Sequence, residues 1–133
     1  MIFTSDNGAA LVSKERAGSN GPLLCGKQTT FEGGMRTPLV AWWSSGRARG
    51  VSQLVGSHMD LLPTLADLAG AEVPSSLVLD GRSLSSVLLG GREEESARPV
   101  YFYRGNLLYA VRWDQYKVTT THLSPNTNYI NTF

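Results

Sequence analysis

The sequence has 133 residues, of which 41% are hydrophobic and 17% are charged, and this composition excludes disorder as the overall state. Twelve Lys and Arg residues against eleven Asp and Glu residues give a formal net charge of +1, so no overall field favours nucleic acid or anionic lipid. The single Cys excludes an internal disulfide and a multi-cysteine zinc site, and no apolar run approaches the roughly 18 residues of a membrane span.

Residues 1–5 predict a β-strand that leads directly into Asp6, Asn7 and Gly8, and the pattern of a signal peptide is absent. Open α/β sheets place ligands at the carboxyl ends of their strands. A carboxylate beside a carboxamide offers the oxygen donors that calcium or magnesium prefers. Because Asp-Asn-Gly is also an ordinary turn sequence, these residues alone leave both a metal site and a plain turn open.

A long glycine-rich loop is predicted for residues 6–34, and ordered loops of this length are usually functional. Residues 21–28 approach the phosphate-binding pattern Gly-x-x-x-x-Gly-Lys, but Gln28 stands where a Ser or Thr is needed. A strand before the motif and a helix after it are also missing from the pattern, so a P-loop is rejected. Lys27 remains as either a solvated surface lysine or a cation directed at an anionic substrate group.

The middle of the chain predicts one strand and two helices. The apolar run 38–43 is typical of a strand buried on both faces, as in a parallel sheet. Residues 60–69 carry an apolar stripe at helical spacing, with Asp60 as the expected N-cap and Gly70 at the expected C-terminal position. Residues 84–89 predict a second, shorter helix.

A change of pattern after the charged residues 92–96 predicts two domains, an α/β portion over residues 1–95 and an antiparallel β portion over residues 96–133. The β portion is expected to be a meander, since short apolar stretches alternate with turn residues. Its predicted strands are residues 100–103, 107–113 and 116–121.

Several residue types common in active sites lack a catalytic pattern here. His58 and His122 have no Ser/Asp or Cys/Asp arrangement around them, and Cys25 lies in no nucleophile motif. We therefore expect structural or surface roles for the histidines and a partnerless thiol at Cys25. The acidic run 93–95 is expected to be a solvated boundary.

Four blocks in this order resemble the later part of the type I sulfatase family. They are Ile-Phe-Thr-Ser-Asp-Asn-Gly at residues 2–8, Gly-Lys-Gln-Thr-Thr-Phe-Glu-Gly-Gly-Met-Arg-Thr-Pro at 26–38, Met-Asp-Leu-Leu-Pro-Thr-Leu at 59–65 and Asp-Gly-Arg-Ser-Leu at 80–84. The resemblance implies part of an alkaline-phosphatase-like α/β sulfatase fold, followed by the beginning of an antiparallel β C-terminal subdomain.

The resemblance also implies an activity and its residues. Members of this family hydrolyse sulfate esters, here of sugars such as N-acetylgalactosamine-6-sulfate in glycosaminoglycans, with a calcium ion and a formylglycine nucleophile. By the same resemblance, Asp6 and Asn7 match two calcium ligands, and Lys27 matches a lysine that contacts the substrate sulfate. A lysosomal location and a homodimeric complete enzyme are implied in the same way.

The sequence departs from the family at the nucleophile, which lies in Cys/Ser-x-Pro-x-Arg. Cys25 is followed by Gly-Lys-Gln-Thr, and no Ser fits the motif. Two metal ligands are also too few for the 6–8 oxygens that calcium takes. We therefore expect the chain alone to be inactive and to bind calcium poorly.

Two alternatives to sulfatase function remain open from the sequence. One is a non-catalytic product that acts as a binding module, and the other is a phosphatase or phosphodiesterase of the same superfamily. The Asp/His-rich metal ligand sets of the latter enzymes are not visible. If neighbouring strands are missing, the run 38–43 is expected to expose apolar surface.

Overall fold

The structure, a computed structural model, describes residues 1–11, 17–46, 48–91 and 98–120. The chain divides into a first unit, Met1–Thr4 with Leu39–Ala97, and a second unit, Ser5–Pro38 with Arg98–Phe133. The predicted domain boundary after residue 95 lies outside the described residues and stays a prediction. The described elements, in chain order, are β1 (Ile2–Thr4), α1 (Glu32–Met35), β2 (Leu39–Ala41), a 3-10 helix (His58–Asp60), α2 (Leu61–Ala69), α3 (Ser85–Leu88), β3 (Val100–Arg104), β4 (Leu107–Trp113) and β5 (Tyr116–Thr119).

The first unit contains a two-stranded sheet in which β1 and β2 are antiparallel, with Phe3 opposite Val40. The strand predicted within residues 38–43 is present, but the prediction that it is buried in a parallel sheet is wrong. Phe3 is 65% exposed and Val40 is 57% exposed. An apolar run favours a strand, but burial also requires another layer of chain against each face of the sheet.

The long helix of the first unit begins with a 3-10 turn capped by Ser57. The Ser57 hydroxyl accepts a hydrogen bond from the Met59 N–H, and the Asp60 carboxylate accepts one from the Ser57 N–H. Asp60 occupies the predicted N-cap position of α2, but its side chain makes no capping hydrogen bond to that helix. Its carboxylate instead completes the capping box of Ser57, one turn earlier. The predicted helix end is confirmed, since Gly70 has a left-handed φ of 65°.

Two buried polar side chains hold the segment before α3 in place. The Asp60 carboxylate, in a residue only 1% exposed, accepts a second hydrogen bond from the Arg82 N–H at 2.9 Å. The Thr64 hydroxyl accepts one from the Leu84 N–H at 2.9 Å. Both acceptors belong to the helical segment around α2. They therefore hold the residues that lead into α3, the predicted second helix.

The second unit contains a three-stranded antiparallel sheet in the order β3-β4-β5. The predicted meander is confirmed for the described residues. Its register shifts between Phe102 and Tyr103, so β4 carries one extra residue there. Phe102 and Ala110 face each other, and both side chains are buried. No helix in the described ranges is both long and apolar enough to cross a membrane.

Candidate functional site

The candidate metal ligands lie near the start of the second unit, in a bend rather than in a regular element. Asp6 is exposed and Asn7 is half-buried. The Ser5 hydroxyl donates a hydrogen bond to the Asn7 carbonyl oxygen at 2.9 Å, which tightens the bend. The predicted loop character of this segment is thus confirmed, and the two side chains supply oxygen donors at consecutive positions.

The donor set fits calcium in kind but not in number. Asp6 and Asn7 offer carboxylate and amide oxygens, the ligands that calcium prefers, whereas calcium takes 6–8 of them. In the part of the chain that the structure describes, no three His, Cys, Asp or Glu residues gather into a group able to hold a metal ion. Asp6 and Asn7 can therefore contribute to a calcium site without completing one.

Lys27 lies in a tight turn that fixes its backbone and leaves its side chain exposed. The Gly26 carbonyl oxygen accepts hydrogen bonds from the Thr29 N–H at 3.2 Å and from the Thr29 hydroxyl at 2.7 Å. Gln28 has a φ of 75° and Cys25 a φ of 60°, left-handed values that cost energy in residues other than glycine. Such strain persists only where the surroundings over-determine the backbone, which is common at functional loops.

Backbone hydrogen bonds join the Asp6–Asn7 segment to the Lys27 loop. The Lys27 N–H donates to the Ala9 carbonyl oxygen at 2.9 Å, and the Gly8 N–H donates to the Gly34 carbonyl oxygen at 3.0 Å. Both bonds start or end within two residues of Asn7. The structure therefore brings together the two chain segments that carry the predicted site residues.

Asn20 is a further residue of this assembly and was not predicted from the sequence. Its side-chain oxygen accepts a hydrogen bond from the Ala9 N–H at 2.7 Å, and its side-chain amide donates to the Cys25 carbonyl oxygen at 2.8 Å. Asn20 thus links the segment after Asn7 to the residues just before Lys27. An Asn in a polar loop gives no sequence signal for this role, because the same residue is common in turns.

Close backbone packing explains two of the loop glycines. A Cβ on Gly8 would collide with the Gly33 carbonyl oxygen, and a Cβ on Gly33 would collide with the carbonyl oxygens of Leu24 and Cys25. Gly33 is also buried, and its N–H donates to the Leu24 carbonyl oxygen at 2.8 Å. Backbone segments therefore approach each other here at distances that only glycine permits.

An ionic cluster that the local sequence does not indicate forms around Glu32, at the C-terminal end of the same loop. Glu32 at the start of α1 pairs with Arg112 at 3.1 Å and with Lys117 at 3.0 Å. The Lys117 ammonium also donates to the Thr30 carbonyl oxygen at 2.8 Å and lies 3.5 Å from the centre of the Phe102 ring. Burial lowers the pKa of Lys117, against the opposing effects of the Glu32 hydrogen bond and charge.

Two of the remaining sequence candidates, His58 and Cys25, lie within the described residues. His58 belongs to the first unit, is exposed, and has its Nε2 atom 3.3 Å from the Thr4 hydroxyl. Cys25 is a free, half-buried thiol in the loop before Lys27. His122 and the acidic run 93–95 lie outside the described residues.

The family model and three of the relatives that match this chain are all sulfatases. The sulfatase family model matches residues 1–71. N-acetylgalactosamine-6-sulfatase from Sus scrofa is 56% identical over 119 residues, which make up 88% of this chain and 22% of the relative. The Homo sapiens protein of the same name is 53% identical over the same shares. Arylsulfatase A from Homo sapiens is 44% identical over 124 residues, 88% of the chain and 24% of the relative.

The chain therefore spans less than a quarter of the length of these relatives. The family match nevertheless covers more than half of the chain and includes Asp6, Asn7 and Lys27. The chain belongs to the sulfatase family.

Proposed function

We propose that this chain forms part of a sulfatase that hydrolyses sulfate esters of sugars, such as N-acetylgalactosamine-6-sulfate in glycosaminoglycans. Lys27 contacts the sulfate group, and Asp6 and Asn7 are two ligands of a calcium ion. The observation that carries the proposal is the 2.9 Å hydrogen bond from the Lys27 N–H to the Ala9 carbonyl oxygen. It holds a cation and two oxygen donors in one hydrogen-bonded assembly. The names of the relatives support the reaction class.

Lys27 supplies the charge that this reaction requires at the substrate. An ammonium group has three N–H donors and no acceptor, so it favours an oxygen that carries negative charge. As the S–O bond breaks, its electron pair stays with the bridging oxygen, where negative charge grows. A lysine that donates to this oxygen stabilises the transition state more than the ground state, which is what accelerates the step.

The remaining machinery belongs to the complete enzyme in this proposal. When bound, a calcium ion supplies positive charge beside the sulfate oxygens, and Asp6 and Asn7 would hold it together with further ligands. A formylglycine supplies the nucleophile, and its motif is absent from these 133 residues. We further propose an alkaline-phosphatase-like fold with a domain boundary after residue 95, a lysosomal location and a homodimer for the complete enzyme.

Two titrations of the ¹⁵N-labelled chain, followed by NMR, test the roles of the site residues. We expect Ca²⁺ to shift the amide signals of residues 6–9 weakly and in a localised manner, and Asp6→Ala to abolish the shifts. Inorganic sulfate is expected to shift the amide signals of residues 26–28. Lys27→Met should abolish that response, because it removes the cation while keeping a side chain of similar length.

Arg36→Met is the matched control for the sulfate titration, since Arg36 is another exposed cation near the same loop. The control should respond to sulfate as the unsubstituted chain does. A sulfate response that Arg36→Met weakens as much as Lys27→Met would show general charge attraction and would contradict the assigned role of Lys27. A stronger response to inorganic phosphate than to sulfate would favour the phosphatase alternative.

Turnover of an arylsulfate ester tests the assignment of the nucleophile. We expect the purified chain to release no product, because the formylglycine motif is absent from the sequence. Release of product by the chain, lost in Lys27→Met, would show that another group serves as the nucleophile and would contradict this part of the proposal.

A further inference from the structure

Two cations face each other on neighbouring strands of the second unit. Arg112 on β4 is the register partner of Lys117 on β5, and like charges directly opposite each other destabilise a sheet. The Glu32 carboxylate offsets this repulsion, because one oxygen accepts from Arg112 and the other from Lys117. The charge pair therefore suits the sheet only when the loop that carries Glu32 is docked against it.

Lys117 makes a second contact with the same loop. Its ammonium donates to the Thr30 carbonyl oxygen, and its side chain is only 13% exposed beside the Phe102 ring. Desolvation by this burial lowers the pKa of Lys117, and the charge of Arg112 acts in the same direction, whereas Glu32 opposes both. A cation buried to this extent depends on its acceptors, so Glu32 and Thr30 are held firmly.

The two residues that Lys117 holds lie between the parts of the loop that form the candidate site. Thr30 follows the Gly26–Thr29 turn that presents Lys27, and Glu32 precedes Gly34, whose carbonyl oxygen accepts from the Gly8 N–H. Displacement of residues 30–32 would therefore strain both connections to the segment that carries Asp6 and Asn7.

We propose that Lys117 is a positioning residue of the sulfatase site. By binding Glu32 and Thr30, it anchors the Lys27 loop on the antiparallel sheet and keeps Lys27 aligned with Asp6 and Asn7. This inference rests on the proposed function of those three residues. Lys117 acts on them through the loop, with Arg112 as the second cation on Glu32.

Amide hydrogen exchange of the ¹⁵N-labelled chain, compared between two sets of amides, tests the anchoring. The loop set is the N–H groups of Gly8 and Lys27, and the sheet set includes the N–H of Thr120, which donates to the Tyr109 carbonyl oxygen. We expect Lys117→Met to speed exchange of the loop set at least about tenfold, because it removes the two charge-assisted hydrogen bonds to Thr30 and Glu32. The sheet set should change far less, because the methionine stem still packs on Phe102.

Lys117→Arg should restore most of the protection, since it keeps a cation and several donors at this position. Arg104→Met removes an exposed cation from β3 of the same sheet and should leave both sets unchanged. Glu32→Gln leaves both sheet cations in place without their shared carboxylate, so it should release the loop set as Lys117→Met does and speed exchange of the sheet set to a smaller extent. The anchoring role would be overturned if Lys117→Met accelerated both sets equally or left the loop set unchanged. It would also be overturned if Lys117→Met and Glu32→Gln both lost the whole sheet.

The sulfate titration separates failure of this inference from failure of the proposed function. We expect Lys117→Met to weaken the sulfate response at residues 26–28, although Lys117 itself does not touch sulfate. A normal sulfate response in a chain whose loop set exchanges faster would overturn the positioning role alone. A chain without any sulfate response at Lys27 would contradict the proposed function, while the exchange data would still decide whether Lys117 anchors the loop.

Discussion

The close backbone packing around the Lys27 loop predicts that Gly33→Ala destabilises the chain. Gly33 is a buried residue of α1, and a Cβ there would collide with the carbonyl oxygens of Leu24 and Cys25 and approach the Cys25 carbonyl carbon to 2.8 Å. These atoms are backbone and cannot rotate away as a side chain can. We therefore expect the loop that leads to Lys27 to be displaced.

Opposing contributions decide whether Gly33→Ala raises or lowers the free energy of unfolding. An Ala in place of Gly favours a helix by roughly 0.5–1 kcal/mol. Forcing an extra carbon into a packed site costs about 1–3 kcal/mol. Weakening the hydrogen bond from the Gly33 N–H to the Leu24 carbonyl oxygen costs about 1 kcal/mol more. The free energy of unfolding should therefore fall by about 1–3 kcal/mol, against the preference for Ala in helices.

Urea denaturation followed by far-UV circular dichroism measures this change. Met35→Ala is the matched control, because Met35 belongs to the same helix and is 43% exposed, and it should change the free energy of unfolding by less than about 0.5 kcal/mol. A Gly33→Ala chain as stable as the unsubstituted one, with unchanged protection of the Lys27 N–H, would refute the predicted collision.

Three further predictions concern other parts of the chain. Asp60→Ala leaves the N–H groups of Ser57 and Arg82 without their carboxylate acceptor and should lower the free energy of unfolding by about 3 kcal/mol or more, measured in urea, whereas Asp60→Asn should cost less. The pKa of Lys117 is lowered in the folded chain from its ordinary value of 10.5. At pH values between these two pKa values the unfolded chain binds more protons than the folded chain, so the free energy of unfolding should rise with pH. Urea denaturation at several pH values should show that Lys117→Met loses this rise. Gln28→Gly should leave stability within about 1 kcal/mol, because relief of the left-handed strain offsets the added chain entropy, whereas Gln28→Val should destabilise clearly in the same assay.

Elements with strong local signals were predicted well from the sequence. The meander β3-β4-β5 follows from apolar stretches separated by turn residues, and its turns carry left-handed residues at Gly105 and Asp114. The helix α2 follows from its apolar stripe and ends where Gly70 supplies the left-handed C-terminal residue. In these segments the chain conformation depends on residues close in sequence.

Features that depend on distant neighbours were predicted less well. The apolar run around β2 correctly indicated a strand, but strand direction depends on the partner, and the described partner of β2 is β1 in antiparallel orientation. Asp60 lies at the predicted N-cap position of α2, but the capping hydrogen bonds are made one turn earlier, where Ser57 uses Asp60 in its capping box. Local propensity thus located both elements without fixing their pairing or their exact start.

The candidate site also combines residues recognised from local sequence with contacts between distant parts of the chain. Asp6, Asn7 and Lys27 were identified from the sequence, and only the structure shows that backbone hydrogen bonds join their segments. Lys117 and Glu32 lie 85 positions apart, and nothing in either local sequence indicates the pair. Ion pairs of this kind depend on tertiary contacts, so periodicity and motif spacing cannot reveal them.

The exposure of Lys27 constrains how it contributes to the proposed reaction. An exposed ammonium attracts a sulfate oxygen by only about 1 kcal/mol at 4 Å in water, and ordering its long side chain costs up to about 2 kcal/mol. Lys27 alone therefore holds sulfate only weakly, and we expect the chain to bind inorganic sulfate more weakly than about 1 mM. Its contribution must come as charge grows on the departing oxygen in a site shielded from water. Fixing the backbone of Lys27 through Ala9 and through the Glu32–Lys117 pair means that no backbone ordering is added to this cost, so only the bonds of the side chain remain to be fixed.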